Sequence, residues 1–331
     1  MPVHVIAEAG TNHDGRVDRG QHLTQIAKDS GADSVKFQVI YPEGLYAETL
    51  FVRGEKRPND VIEQRRRFVL PDDDFRELAA HAQSLGIDLS ASVFDSRGLD
   101  LLDSVNPPYI KIASCDLNNT PFLREVAQRG RRMVISTGMA TLGEVETAVE
   151  AVVSEGNSDL VLLHCVSVYP APSERMNLPF MQTLARAFGF PVGFSDHSQT
   201  SVCAVLAVGL GAQWIEKHVT YDRGAEGFDH ANAMEADTFA QYIADLRVAE
   251  QAMESHVTKV SAAEAEVAQR ARRSLVTARD IAAGEVLSPE DVLIVRPSGP
   301  LVPGDLPKVV GRKTRRALSK NEPLEWTLLD V

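Results

Sequence analysis

Short apolar runs alternate with amphipathic stretches from residue 3 to about residue 255. The runs 3–9 (VHVIAEA), 34–39 (SVKFQV), 87–93 (IDLSASV), 109–114 (YIKIAS), 132–137 (RMVIST), 160–166 (LVLLHCV), 191–196 (PVGFSD) and 212–219 (AQWIEKHV) predict strands. Several are nearly continuous in Val, Ile and Leu, as parallel strands covered by helices should be. Helices are predicted between them, at 16–30, 72–85, 96–104, 120–129, 143–155, 178–188, 199–210 and 235–254. In 143–155, Val145, Ala148, Val149 and Val152 recur at three- and four-residue intervals, while Glu144, Glu146 and Glu150 take the other face. Gly31, Gly86, Gly130, Gly156, Gly189 and Gly211 each fall between a helix and the next strand, as left-handed terminators do.

Eight strand–helix units over this length predict an α/β fold of the (β/α)8 TIM-barrel type. An open doubly wound sheet is the alternative, though it normally has fewer units. One connection breaks the rhythm. Residues 40–71 follow the second strand and include Tyr41, Tyr46 and the charged stretch Gly54-Glu55-Lys56-Arg57. A long loop at a C-terminal strand end is either a lid or substrate wall, or a solvated insertion. Residues 256–273 are rich in Ala, Glu and Arg and read as a helical linker. From 274 to 331, short apolar stretches are split by turn signals such as Arg-Pro-Ser-Gly-Pro (296–300) and Val-Pro-Gly-Asp (302–305). The expected organisation is a barrel over 1–255, a linker over 256–273, and a small mostly-β module over 274–331.

Composition adds exclusions. The 331 residues are 44% apolar and 24% charged, ordinary for a water-soluble globular chain. A net charge of −12 argues against a nucleic-acid partner or an anionic membrane surface. No apolar run is long enough to cross a bilayer, and the N-terminal residues lack the features of a signal peptide. Cys115, Cys165 and Cys203 have unrelated spacings and form neither a disulfide framework nor a metal knuckle. A reduced, cytoplasmic location is expected.

Chemistry concentrates at predicted strand ends. His197 and His218 close the seventh and eighth strands, so in a barrel both imidazoles project into one mouth. They are either a pair of hydrogen-bonded structural histidines or ligands to a divalent metal. Alternate strand residues point inward in a barrel. That parity groups Lys36 with Gln38, Ser195 with His197, and Glu216 with His218. It also places Glu8, Lys111, Ser114 and Ser136 near the same mouth. A lysine inside an apolar strand needs a partner. The partner is either a carboxylate such as Glu8 or Glu216, or a bound phosphate or carboxylate that the strand-end serines also hold. The chain has no phosphate-binding Gly-Lys-Ser/Thr loop, no dinucleotide fingerprint and no nucleophile elbow. Metal, anion site and carboxylates together suit addition to a carbonyl or departure of a phosphoryl group.

Seven ordered segments resemble the sialic acid synthase family: 7–15 (AEAGTNHDG), 35–38 (VKFQ), 109–114 (YIKIAS), 136–139 (STGM), 163–172 (LHCVSVYPAP), 193–198 (GFSDHS) and 216–220 (EKHVT). The C-terminal module is similar to the antifreeze-like (SAF) domain that follows the barrel in that family. The resemblance implies a transferase that condenses phosphoenolpyruvate with a sugar aldehyde. It further implies that His197 and His218 bind Mn2+, or Mg2+ or Co2+ in its place. Lys36, Ser92, Lys111, Ser114, Ser136 and Ser195 would hold phosphoenolpyruvate, and Glu8 would be the catalytic carboxylate. Gln38, Tyr169 and Asp229 would contact the amino sugar. Arg296 would reach the other subunit's sugar site in a domain-swapped homodimer.

The chain departs from that pattern in three places. Cys115-Asp116 stands where the family carries Gly-Glu, so Asp116 is one methylene short of the usual sugar contact. Ser167 replaces an asparagine. Both changes fall on the sugar side and leave the acceptor open between N-acetylmannosamine and the precursors of legionaminic, pseudaminic or deaminated acids. The first strand begins at Val3 without the N-terminal hairpin many relatives carry, so the barrel bottom is expected to be capped differently. Two further readings stand beside this one. The first is another phosphoenolpyruvate–sugar condensing enzyme, of the octulosonate or spore-coat polysaccharide type. The second is a non-catalytic carbohydrate-binding protein.

Overall fold

The computed structural model describes residues 2–254 and 260–330. The chain divides into two compact units, Met1–Glu254 and Ser255–Val331. The first unit runs β1 (His4–Gly10), α1 (Val17–Asp29), β2 (Ser34–Val39), α2 (Pro42–Leu45), β3 (Thr49–Val52), β4 (Glu55–Pro58), α3 (Asp60–Arg66), α4 (Asp72–Leu85), β5 (Asp88–Val93) and α5 (Ser96–Ser104). It continues with β6 (Tyr109–Ile112), α6 (Thr120–Ala127), β7 (Arg132–Ser136), α7 (Leu142–Val153), β8 (Leu160–Cys165), α8 (Phe180–Phe188), β9 (Val192–Asp196), α9 (Val202–Gly209), β10 (Trp214–His218) and α10 (Ala236–Met253). Eight strands close into a parallel barrel in the order β1-β10-β9-β8-β7-β6-β5-β2. The first unit is thus a (β/α)8 barrel rather than an open sheet, and each predicted strand falls on a barrel strand.

The outward face of the barrel packs on its helices. Val5, Ala7, Val35, Phe37, Ile110, Ile112 and Ile135 meet Leu23, Leu78, Leu99, Leu123, Val145, Leu184 and Phe239 in one buried cluster. Each such leucine is worth about 2–5 kcal/mol against truncation to alanine. Local signals agree with the packing. Thr141 and Glu144 form a capping box at the start of α7. Gly86 ends α4 at φ 65°, a left-handed cap that a Cβ would disfavour.

The barrel interior is layered. Ile6, Tyr109, Val134, Val161, Leu163 and Trp214 form a separate apolar cluster inside it. Below them His4 stacks on Trp214 with ring centroids 4.0 Å apart. Ser34 Oγ lies 2.9 Å from both His4 Nε2 and Tyr109 OH. His4, at the start of β1, therefore helps to close the barrel floor. The remaining inward positions, toward the C-terminal strand ends, are polar.

Residues 40–71 contain α2, α3 and the antiparallel hairpin β3–β4. Arg53 and Gly54 turn the hairpin at φ 54° and 85°, the positive values that a tight two-residue turn requires. Leu50, Phe51 and Val52 are exposed. The root of the segment is pinned. Buried Tyr41 donates to Asp72 Oδ1 at 2.7 Å, and the Arg97 guanidinium covers its ring at 3.7 Å.

The second unit contains α11 (Ala262–Ala271), β11 (Ser274–Thr277), β12 (Val292–Val295) and α12 (Leu306–Val309). β11 and β12 pair antiparallel over a core of Leu275, Ile281, Leu287, Leu301, Leu318 and Leu324. Isolated bridges such as Ile281 to Leu318 and Thr314 to Leu329 supply the rest of its β structure. Of the stretch expected as a linker, residues 256–259 lie outside the described residues. Residues 262–271 form α11. No helix among the described residues is long and apolar enough to cross a membrane.

Candidate active site

Strand register builds the site. Glu8 lies opposite Lys36 on one side and His218 on the other. Gln38 lies opposite Ser92, Ser92 opposite Lys111, and Glu216 opposite Ser195. Because the side-chain period of a strand is two, these partners all face inward together. They line a cavity of about 260 Å3. Of the residues expected at the site, Glu8, Lys36, Gln38, Ser92, Lys111, Ser114, Ser136, Ser167, Tyr169, Ser195, His197 and His218 meet there.

The base of the cavity is an ionic ring. Lys36 Nζ is 2.6 Å from Glu8 Oε2 and 3.4 Å from Glu216 Oε2, and it donates to Ser92 Oγ at 2.8 Å. Lys111 Nζ donates to Ser136 Oγ at 2.7 Å and to the Ile112 carbonyl at 3.0 Å. Its nearest carboxylate oxygen is Glu216 Oε1, at 3.8 Å. Ser195 Oγ donates to Glu216 Oε1 at 2.7 Å, and Gln38 Nε2 to Glu8 Oε1 at 2.9 Å. Both lysine side chains are 2–3% exposed, so their charges act in a low-dielectric setting.

The two carboxyls are driven apart. Burial raises Glu8 to about 7, outweighing the attraction of Lys36. Burial also works against the Glu216 carboxylate, but Lys111 and Lys36 overrule it and hold it at about 2. Paired acids with opposed shifts divide into a proton carrier and a fixed charge. Here Glu8 has the value that suits a carrier. The lysines differ as well. Burial lowers Lys111, whereas Glu216 and Glu8 outweigh burial at Lys36 and raise it. Lys111 is therefore the less neutralised cation, the one open to an incoming anion.

Above the ring stand the histidines. Their ring centroids are 5.6 Å apart, and the Tyr169 ring lies 4.1 Å from His197. His197 Nδ1 is 2.9 Å from the Val166 carbonyl. A carbonyl only accepts, so Nδ1 carries a proton, and Cys165 beside the ring outweighs burial and raises His197 above the ordinary histidine value. His218 Nδ1 is buried without a hydrogen-bond partner. Burial lowers His218 to about 4, so its imidazole is neutral at pH 7. Two imidazoles, that of His218 neutral with an orphaned buried nitrogen, fit a divalent ion that takes its other ligands from water and substrate. Among the described residues no group of three or more His, Cys, Asp and Glu is arranged to hold a metal by itself.

Three expected sugar contacts lie elsewhere. Asp229, in the loop after β10, joins Tyr169, His218 and Phe228 around an adjoining pocket, and its Oδ2 is buried without a partner. A Cβ on Gly10 would stand 2.8 Å from that oxygen, which accounts for a glycine in the first motif. Asp116 does not line the cavity. It is buried in the 3-10 turn Ser114–Asp116, accepts from Asn119 Nδ2 at 3.4 Å, and leaves the cavity wall to Cys115. Arg296 lies in the second unit, exposed, directly after β12. The sequence reasoning did not select Cys115, Cys165 or Met139, which also line the cavity. Cys165 Sγ is 3.8 Å from His197 Nδ1. Its inward parity with Leu163 was the available signal.

The chain is similar to known proteins along most of its length. Residues 23–258 match the NeuB family, and residues 272–330 match the SAF domain. The N,N'-diacetyllegionaminic acid synthase of Legionella pneumophila is 37% identical, over 100% of this chain and 96% of its own. The protein of the same name from Campylobacter jejuni is 34% identical, over 89% of this chain and 90% of its own. A crystal structure of N-acetylneuraminic acid synthetase from Leptospira borgpetersenii, in complex with citrate, superimposes with a TM-score of 0.73 at 31% identity. It covers 81% of this chain and 90% of the Leptospira chain. The chain belongs to the NeuB family, the sialic acid synthase family, and its barrel is followed by a SAF domain.

Proposed function

We propose that the barrel mouth condenses phosphoenolpyruvate with the open-chain aldehyde of an N-acylated amino sugar, giving a nonulosonic acid and inorganic phosphate. One observation carries this reading. Two buried lysines, each hydrogen-bonded to a serine, lie in one cavity with His197 and His218. Lys111 and Lys36 match the phosphate and carboxylate of phosphoenolpyruvate, and the hydroxyls of Ser92, Ser114, Ser136 and Ser195 match its remaining oxygens.

The chemistry forms one carbon–carbon bond. C3 of phosphoenolpyruvate attacks the aldehyde carbon, whose oxygen takes a proton to become a hydroxyl. Water adds its oxygen to C2, and Glu8, with a carboxyl near 7, accepts the proton that this water loses. The C2–O bond to phosphate then breaks, phosphate leaves, and C2 becomes a ketone. Lys36 and Lys111 face the leaving oxygens in a buried setting, where fixed charges act most strongly. Glu216, held ionised by both lysines, keeps them in place. His197 and His218 would hold a divalent ion such as Mn2+, which when bound supplies Lewis-acid polarisation of the aldehyde.

On the acceptor side, Ser167 lines the cavity where the family carries an asparagine and Asp116 does not reach it, which leaves acceptors other than N-acetylmannosamine open. The two legionaminic relatives support a di-N-acylated acceptor. A homodimer working in the cytoplasm is the setting this reading implies. Phosphate release with phosphoenolpyruvate, Mn2+ and a panel of aldehyde sugars tests it. Release is expected with N-acylated hexoses. Release only with a pentose phosphate would favour an octulosonate-type reaction. Sugar binding without release from any sugar would favour a binding protein.

A further inference from the structure

The loop between β10 and α10 carries Asp229 to the barrel mouth. The point that a Cβ on Gly10 would occupy lies 2.8 Å from Asp229 Oδ2, 3.4 Å from Gln38 Nε2 and 3.6 Å from Glu8 Oε1. The Asp229 carboxylate therefore converges with two residues of the main cavity, and its Oδ2 is buried without a partner. His218 and Tyr169 line both that cavity and the adjoining pocket of about 140 Å3 that Asp229 and Phe228 help to form. A polar group on a loop is aimed only as well as the loop itself is held.

The next residue, His230, supplies the hold. It is fully buried, with Nε2 3.0 Å from Asp14 Oδ1 and Nδ1 2.7 Å from Thr220 Oγ1. An ionised carboxylate only accepts, so Nε2–H donates to Asp14. Asp14 stands in the turn between β1 and α1. Its other oxygen, Oδ2, accepts from Tyr221 OH at 2.5 Å and from Arg19 Nη1 at 2.6 Å. Asp14 thus ties Tyr221 at the start of the loop and His230 beside Asp229 to one fixed turn. It does so at φ 52°, a left-handed value uncommon for a residue other than glycine. Gly227 is forced as well, since a Cβ there would stand 2.5 Å from His230 Cδ2. A left-handed aspartate and an obligatory glycine mark a loop shape that its surroundings over-determine. Yet neither Asp14 nor His230 lines the cavity or the adjoining pocket.

We propose that His230 and Asp14 are positioning residues for the condensation. Through the loop they aim the Asp229 carboxylate at a hydroxyl of the acceptor sugar, and neither touches substrate. The proposal rests on the condensing activity proposed above. It assigns the pair a role separable from phosphoenolpyruvate and metal, whose candidate ligands stand on or directly after barrel strands and not on this loop.

Steady-state phosphate release with phosphoenolpyruvate and Mn2+ tests it, with N-acetylmannosamine and a 2,4-di-N-acetylated 6-deoxyhexose each offered as acceptor. The variants are His230→Leu, His230→Gln and Asp14→Gly. Glycine removes the anchor but accepts a positive φ more readily than aspartate, so Asp14→Gly separates anchoring from folding. His230→Leu and Asp14→Gly are each expected to raise KM for the better acceptor by about tenfold. KM for phosphoenolpyruvate, kcat and Mn2+ affinity by direct titration are expected to stay close to wild type. His230→Gln, which keeps an N–H donor, is expected to recover part of the loss. Asp14→Gly combined with His230→Leu is expected to be no worse than either alone, because both break one link. An unchanged acceptor KM in folded variants would overturn the proposal. So would equal losses in acceptor KM, phosphoenolpyruvate KM and Mn2+ affinity, which would mark a general loosening of the mouth. If the wild type releases no phosphate with either sugar, the condensing reaction itself fails and the positioning role falls with it. Wild-type release with acceptor KM altered in the variants isolates the role of the pair.

Discussion

Lys217 Nζ lies 3.4 Å from Asp196 Oδ2, and these two residues immediately precede His218 and His197. Strand parity places this pair on the outer face of the barrel while the histidines face in. Both side chains are essentially inaccessible to solvent. Asp196 also accepts from Tyr242 OH at 2.9 Å and from the Ser198 amide at 2.8 Å, and Lys217 donates to the Ser198 carbonyl. A buried ion pair thus joins the C-terminal ends of β9 and β10 directly behind the two imidazoles.

Asp196→Asn should strand the Lys217 charge in the core. Removing one partner of a buried pair costs about 3–5 kcal/mol, which denaturant unfolding would read. Replacing both, as Asp196→Asn with Lys217→Met, should recover most of that stability. The double variant should nevertheless bind Mn2+ more weakly by direct titration, because the strand ends that carry the histidines lose their clamp. Wild-type Mn2+ affinity in a folded double variant would show that the pair does not position the site.

Glu8 should impose a pH dependence on activity and stability. Its folded value near 7 lies above the ordinary 4.5, so the folded state holds this proton more tightly than the unfolded chain. The resulting stabilisation is complete below about pH 4.5 and is lost as pH rises through about 7. Glu8→Gln, which cannot titrate, should lack that decline in denaturant unfolding measured across the window. In kinetics, the acid limb of kcat/KM should fall near pH 7. Glu8→Gln should remove that limb together with about 100- to 10,000-fold of the rate. An unshifted limb in this variant would assign the proton to another group.

His218→Ala should leave the far-ultraviolet circular dichroism unchanged, because the substitution removes a nitrogen that has no protein partner. Turnover should vanish, and bound Mn2+ measured by electron spin resonance should be lost with it. Full activity after exhaustive chelation would remove the metal from the mechanism.

The period-two alternation of the strands made the ionic ring legible. Lys36 with Gln38, and Glu216 with His218, could be placed on one face from spacing alone. Where no period applies, sequence was silent. Whether Cys115 or Asp116 faces the cavity is decided by rotation within a three-residue 3-10 turn. Arg65, Arg66 and Arg67 look alike as a string, and only tertiary placement puts Arg65 against Phe228 while Arg66 meets acids. The β3–β4 hairpin also escaped notice, because its Arg53-Gly54 turn lacks the Asn-Gly or Asp-Gly signature and its apolar residues remain exposed.

The apolar layer of Ile6, Val134, Leu163 and Trp214 beneath the ring makes the barrel a vessel with one opening. On the proposed reading, whatever sits lowest, beside Lys36 and Lys111, would board before the sugar arrives above it. It would disembark after the sugar-derived product has gone. On that reading the sequence of arrivals and departures is written into the depth at which each side chain stands, and traffic would run last in, first out.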